Sequence, residues 1–137
     1  MNQFRVLKAT NQDMMLIREL DKICLPGCSW YPPDFSWCLW HGDELAGYGC
    51  LVASRQWNDC GYLCRSGILP EFRGMGLQKR LIRARIRKAR ELGWYALFTD
   101  TRRNPASANS LISCGFKMYD PMRPWSFNDA CYWRLIL

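Results

Sequence analysis

Apolar and polar residues alternate through "QFRVLKAT" at residues 3–10, and that spacing of two predicts a strand. Thr10 or Asn11 then stands where a helix cap is needed, and "QDMMLIRELDKI" follows with Met14, Ile17, Leu20 and Ile23 along one side. "CLPGCSWYPPDF" ends that helix with three prolines and a glycine. Two strands, "FSWCLWHG" and "ELAGYGCLVAS", meet at Gly42-Asp43, a hairpin signal. "CGYLCRSGIL" is a further strand, stopped by Pro70. A helix is expected from Gly76 to Leu92 with Gly93 closing it, then the strand "WYALFTDT". Asn104 is a cap for another helix, with Pro105 at its first position and Gly115 after its end. "FKMYDP" and "ACYWRLIL" are final strands around a loop containing Pro and Trp. The order is β-α-β-β-β-α-β-α-β-β, without repeats or a dividing linker, so residues 1–137 are expected to form a single α/β domain.

The helix at 76–92 has two unlike faces. Lys79, Arg80, Arg83, Arg87 and Arg90 share one arc, and Leu81, Ile82, Ile86, Ala89 and Leu92 share the other. Arg85 falls in the middle of the apolar arc, where a guanidinium needs a partner; Asp100, near the end of the following strand, is the candidate. A hydrophobic share of 49% with 23% charged residues marks a globular chain, and seven tryptophans imply a large core, an aromatic-lined pocket, or both. The net charge of +7 favours an anionic ligand or partner. Of the eight cysteines, Cys24 and Cys28 are four apart, as are Cys60 and Cys64. Four thiolates could hold a zinc ion, but the usual closer spacing is absent and Cys60 and Cys64 fall in a strand-like segment, so no metal is expected and the thiols read as reduced, packed groups. The amino-terminal stretch has no apolar segment of signal-peptide type, and no apolar run approaches a membrane span. A cytoplasmic protein without a membrane partner is the expectation.

"ILPEFRGMGLQKRLI" places two glycines between a strand and a basic helix. Helix amino termini expose unpaired N–H groups and a partial positive charge, and glycine lets a phosphate approach the backbone. The stretch lacks the Lys-Ser/Thr of a P-loop and the third glycine of a dinucleotide fingerprint. It resembles the coenzyme-binding motif R-x-x-G-x-G/A of the GNAT superfamily of acetyl-CoA-dependent N-acetyltransferases. Arg73 and Gly76 match, and Gln78 stands where glycine or alanine is usual. "NPASANSLISCGF" looks like that family's following helix and "HGDELAGYG" like its hairpin, and the element order agrees along nearly the whole chain.

The resemblance implies a mixed, mostly antiparallel central sheet of six to seven strands, flanked by about three to four helices, with the fourth and fifth strands splayed. It implies acetyl-CoA as co-substrate. Backbone groups near Ile68 and Leu69 would pair with the pantetheine arm, an N–H near Ile68 also polarising the thioester carbonyl. The N–H groups of Arg73, Gly74, Met75, Gly76, Leu77 and Gln78 would wrap the pyrophosphate, with Lys79 and Arg80 in reach of the phosphates. Asn104 and Ser107 would border the coenzyme from the far side. The tyrosine that often protonates the departing thiolate is replaced by Leu111.

For catalysis the sequence offers Tyr119 as acid, with Ser110 or Ser113 as holders of a water, and Glu71, Asp34 or Asp120 as the carboxylate that ends a proton path. His41 sits beside a hairpin turn and reads as a surface residue. Cys64 and Cys114 have no histidine nearby in sequence, so direct attack by the amine, without a covalent enzyme intermediate, is expected. The loops "CLPGCSWYPPDF" and "YDPMRPWSFND" frame the acceptor in this architecture. Trp30, Tyr31 and Trp125 are candidate walls, and Asp34 and Asp120 candidate attractors of a cationic amine. The expected acceptor is an amine of a small molecule, peptide or protein, with a peptide N-terminus, protein lysine, aminoacyl-tRNA and modified nucleobase all left open. The alternative is a basic nucleic-acid-binding module with a vestigial coenzyme pocket. The apolar last strand offers an edge for a homodimer.

Overall fold

A computed structural model describes residues 3–137. The elements are β1 (Phe4–Lys8), α1 (Asp13–Cys24), β2 (Phe35–His41), β3 (Glu44–Ala53), β4 (Cys60–Ile68), α2 (Leu77–Glu91), β5 (Ala96–Thr101), α3 (Pro105–Ser113), β6 (Lys117–Met118) and β7 (Cys131–Ile136), with a 3₁₀ turn at Pro70–Phe72. This is the order the periodicity predicts. The strands form one sheet, β1-β2-β3-β4-β5-β7-β6, in which every pair is antiparallel except β4 with β5. The expected mixed, mostly antiparallel seven-stranded sheet with three helices is therefore present.

Local chemistry sets the ends of these elements. Thr10 N–H donates to Asp13 Oδ2 at 2.8 Å and Asp13 N–H returns to Thr10 Oγ1 at 3.3 Å, a reciprocal box that starts α1. Gly42 and Asp43 turn the chain so that His41 faces Glu44. Asn104 Oδ1 accepts the Ser107 N–H at 3.1 Å, with Pro105 at the first position of α3.

The two faces of the sheet are covered differently. On one, α2 and α3 bring Leu81, Ile82, Ile86, Ala89 and Leu111 against Leu39, Ala46, Leu51, Leu63 and Leu97. On the other, α1 brings Ile17 to Cys38, Leu45, Tyr48 and Cys50. The buried side of α1 departs from expectation: Ile23 is 58% exposed and Asp21 only 3%. Asp21 lies one helical turn beyond Ile17, and it meets a cation there. Arg65 Nε donates to Asp21 Oδ1 at 3.0 Å and Nη2 to Oδ2 at 2.7 Å, while Tyr48 Oη donates to Oδ1 at 2.6 Å. Arg65 Nη1 also donates to the Ser29 carbonyl at 2.8 Å, and the guanidinium lies 5.3 Å from the Trp30 ring centre and 5.2 Å from that of Tyr31.

A bulge in β4 aims Arg65 at α1. Gly49 faces Ser66 and Leu51 faces Leu63, so Cys64 and Arg65 together oppose Cys50. At the far end, the expectation of a free edge on the last strand is overturned. Lys117 and Met118 pair with Arg134 and Trp133, and Tyr119 N–H donates to Tyr132 O at 3.0 Å, so β6 covers the middle of β7. No helix among the described residues is long and apolar enough to cross a membrane.

Truncating one partner of the Asp21–Arg65 pair leaves an uncompensated buried charge. Asp21→Ala is expected to cost about 3–5 kcal/mol in denaturant unfolding, and the double change Asp21→Leu with Arg65→Met to recover most of it. Equal stability of Asp21→Ala and the parent would show that the pair contributes nothing.

Candidate active site

β4 and β5 pair over only three residues each, Cys60 with Ala96, Gly61 with Leu97 and Tyr62 with Phe98. Thr99 Oγ1 then donates to the Leu63 carbonyl at 2.9 Å, a side chain standing in for the next rung, and beyond it the strands part at the β4 bulge. The gap opens into a cleft of about 440 Å³ on the α2 and α3 face, lined among others by Leu63, Cys64, Ser66, Gln78, Arg85, Thr99, Asn104, Ser107 and Leu111. Tyr62 and Phe98 neighbour Leu63 and Leu97 in sequence and point to the opposite face. There they line a second cavity of about 610 Å³ with Tyr31, Asp34, Trp57 and Trp125. The two cavities meet at one hydrogen-bonded group. Tyr62 Oη donates to Asp100 Oδ1 and Ser126 Oγ to Asp100 Oδ2, both at 2.6 Å. Tyr62 lines the aromatic cavity and Asp100 the cleft. Burial, reinforced by the Asp100 charge, raises the Tyr62 pKa, so this phenol stays protonated. The Trp125 ring stands edge-on to Tyr62 at 5.4 Å and to Tyr132 at 4.8 Å.

These bonds overturn the expected Arg85–Asp100 pair. Successive β5 side chains alternate, so Thr99 faces α2 whereas Asp100 faces Tyr62 and Ser126. Arg85 instead crosses to β3, its Nε donating to Leu81 O at 3.1 Å and its Nη1 to Cys50 O at 3.2 Å.

The glycine turn is open. Gly74 and Gly76 have φ of +82° and +71°, a region glycine adopts without strain, and a Cβ at either would meet nothing within 4 Å. Among the described residues the N–H groups of Gly74, Met75 and Gly76 have no acceptor, and those of Leu77 and Gln78 lie in the unpaired first turn of α2. Five successive N–H groups are thus unpaired at the start of a helix, the kind of donor set that suits an anion. The sixth expected donor is spent, since Arg73 N–H donates to Pro70 O at 3.3 Å and Arg73 Nε to Ile68 O at 2.9 Å. Leu69 N–H is likewise held by Ala46 O at 2.9 Å. Neither Ile68 nor Leu69 lines the cleft, and the β4 stretch that does is Leu63, Cys64 and Ser66. Gln78 finds room by folding across to β4, its Nε2 donating to Ser66 Oγ at 2.9 Å and its Oε1 left without a donor. Lys79 is half-buried beside it, and Arg80 Nη2 donates to Phe4 O at 3.0 Å. Arg83, Arg87 and Arg90 form the exposed side of α2, whereas Leu92, assigned to the apolar arc, is exposed too.

The remaining candidates scatter. Tyr119 lines neither cavity; its ring packs on Phe98 and Tyr132 and its hydroxyl is buried without a partner. Glu71 is exposed in the 3₁₀ turn, and Asp120 is exposed outside both cavities. Asp34 lines the aromatic cavity and accepts the Ala53 N–H on Oδ2 at 2.8 Å. Tyr31 and Trp125 line that cavity, whereas Trp30 is held between Arg18 and Arg65 and braces the loop. His41 bonds Gln3 at 2.9 Å and packs on Phe4 and Phe72, away from both cavities. The hydrogen bond from Cys50 holds the Cys64 thiol below its ordinary pKa, whereas burial raises that of Cys114. Among the described residues no cluster of His, Cys, Asp or Glu is arranged to hold a metal ion. Tyr62 and Ser126 carry no signal in the sequence, because only the fold brings them to Asp100.

Residues 14–116 match the sequence model of the acetyltransferase (GNAT) family. A search of curated protein sequences found no match. Among solved structures, a Bacillus subtilis acetyltransferase in complex with CoA is 19% identical, with a TM-score of 0.73 and 98% of each chain covered. The ribosomal-protein-S18-alanine N-acetyltransferase of Escherichia coli is 16% identical, with a TM-score of 0.76, covering 97% of this chain and 93% of its own. A Salmonella typhimurium acetyltransferase structure with acetyl-CoA is 16% identical, with a TM-score of 0.76, covering 98% of this chain and 94% of its own.

Asn104 both caps α3 and borders the cleft. Asn104→Ala is expected to cost about 1 kcal/mol in thermal unfolding, and Asn104→Asp, which keeps the acceptor, to stay within a few tenths of about zero. Equal losses in the two variants would show that the cap bond is not what the side chain contributes.

Proposed function

This chain belongs to the GNAT acetyltransferase family, and on that footing we propose that it is a single-domain N-acetyltransferase that moves the acetyl group of acetyl-CoA to a primary amine by direct attack in a ternary complex. The observation that carries this reading is the parted β4–β5 seam, whose cleft is lined by Gln78 from the start of α2, next in sequence to the unpaired N–H groups of the glycine turn, with an aromatic cavity on the opposite face. A pyrophosphate suits those donors, and a Cβ built at Gly74 or Gly76 would meet nothing within 4 Å. The pantetheine arm, itself an amide chain, suits a strand edge that has lost its neighbour. Asn104 and Ser107 border it from α3. The B. subtilis and S. typhimurium relatives, described with CoA and acetyl-CoA, support this assignment.

The acceptor occupies the aromatic cavity. Tyr31, Trp57, Tyr62, Phe98 and Trp125 suit an amine with an apolar or aromatic body, and Asp34 is the carboxylate in its lining. The E. coli relative, named for a protein alanine, supports a peptide amine as one form of acceptor. Bound acetyl-CoA supplies the activated acyl carbon. The chain supplies position and a route for the proton: the amine donates to Tyr62 Oη, which donates to Asp100, and Ser126 holds the second oxygen of that carboxylate. Cys64 has no histidine beside it, so the amine attacks without a prior acyl-enzyme.

Acetyl-CoA at about 100 times its Kd is expected to add roughly 2.7 kcal/mol to stability, read as a rise in Tm. Gly76→Glu, which puts a carboxylate into the phosphate space, is expected to abolish that rise. Salt-sensitive retention on nucleic acid with no response to acetyl-CoA would replace the enzyme reading by the binding-module one. For the proton route, Tyr62→Phe is expected to lower kcat about 10²-fold while Tyr119→Phe leaves it unchanged, in an assay of thiol release across a panel of amines. The reverse pattern would move the acid–base role to Tyr119.

A further inference from the structure

Arg85 is a buried charge that the proton route does not use. The residue is 2% exposed, set in α2 between Ala84 and Ile86, which are buried as well. Its guanidinium lies over Gly49, where a Cβ would come within 3.1 Å of Nε. Nε and Nη1 are occupied by the carbonyls of Leu81 and Cys50, and Nη2 has no acceptor among the described residues. None of the ion pairs formed among those residues includes Arg85. Burial lowers its pKa, and the neighbouring thiols Cys50, Cys64 and Cys114 oppose that shift. An arginine buried against carbonyls alone is unfavourable, and an apolar residue of similar volume would do better as packing. An anion beside it would supply the partner that carbonyls do not.

The cleft locates that anion. Arg85 lines it with Cys64 on β4 and Leu111 on α3. Around them the wall is Leu63, Ile82 and Thr99, the last with its hydroxyl engaged by Leu63 O. Asp100 on β5 carries a negative charge and bonds Tyr62 and Ser126. Arg102, at the rim, is paired with Asp129. Arg85 is the buried cation left to meet a new negative charge.

We infer that Arg85 is a catalytic residue of the acyl transfer, its guanidinium pairing with the sulfur anion that leaves the thioester. The inference rests on the coenzyme reading above. As the amine nitrogen bonds to the acyl carbon, the C–S bond breaks and its electron pair stays on sulfur. The nitrogen proton travels through Tyr62 to Asp100. The sulfur leaves as a thiolate held by Arg85, which keeps its own protons, and takes a proton from water after release. Stabilisation by a cation here replaces protonation by an acid.

The test is the pH dependence of binding, measured by calorimetry with CoA and with desulfo-CoA, which lacks the thiol. If Arg85 holds the thiolate, the bound thiol ionises at lower pH than the free one. CoA affinity relative to desulfo-CoA then rises as pH increases through the bound pKa, by about tenfold for each unit of lowering. The parent protein is expected to show at least about a tenfold rise between roughly pH 7 and 9, Arg85→Lys to retain part of it, and Arg85→Met to lose it. Arg85→Met is also expected to lower kcat by about 10²–10³-fold with the KM for acetyl-CoA little changed. A parent ratio that stays flat, or one that rises equally in Arg85→Met, would overturn the inference while leaving the coenzyme site in place. Binding of neither nucleotide would overturn both. If Arg85→Met does not fold, the parent and Arg85→Lys profiles decide the matter.

Discussion

Asp21 and Arg65 share two hydrogen bonds in the interior, and most of what surrounds the second cavity follows from them. The guanidinium belongs to a β4 bulge, the carboxylate to α1, and the remaining Arg65 donor to the Ser29 carbonyl in the loop between α1 and β2. Trp30 and Tyr31 stack on the same cation. A single planar group thereby locks a helix, a strand and an aromatic loop into one arrangement. Such a fork is directional in a way apolar packing is not, which suits a wall that must present Tyr31 at a defined place.

The bulge that aims Arg65 towards α1 also coincides with the parting of β4 from β5. An extra residue bends its strand and increases twist, so a ladder ending near it is the expected geometry. The cleft and the aromatic cavity are thus two results of one irregularity. One uses the sheet edge it frees, and the other uses the loop it anchors. Tyr62, the last residue before the gap, is where they communicate.

The order of elements, the caps at Thr10 and Asn104, and the two-residue turn at Gly42-Asp43 were legible because each is local: a few neighbouring side chains decide it. The glycine turn was legible for the same reason. What was not legible depends on pairs distant in sequence. Asp21 drew no notice in the sequence because its partner is forty-four positions away. Arg85 stood out as a charge on an apolar arc, yet the Asp100 assigned to it points to the other face. That orientation depends on the phase of β5, a property of the sheet rather than of the residue. Ile68 and Leu69 were assigned to the pantetheine by position in a motif, whereas the β4 residues that line the cleft are Leu63, Cys64 and Ser66.

The short pairing of β4 with β5 has a mechanical meaning. Three rungs, one threonine hydroxyl and the Tyr62–Asp100 hydrogen bond join a plate of four strands to a plate of three. α2 packs across this short junction from one face of the sheet. An amide chain laid in the gap would supply rungs that the two plates do not share directly.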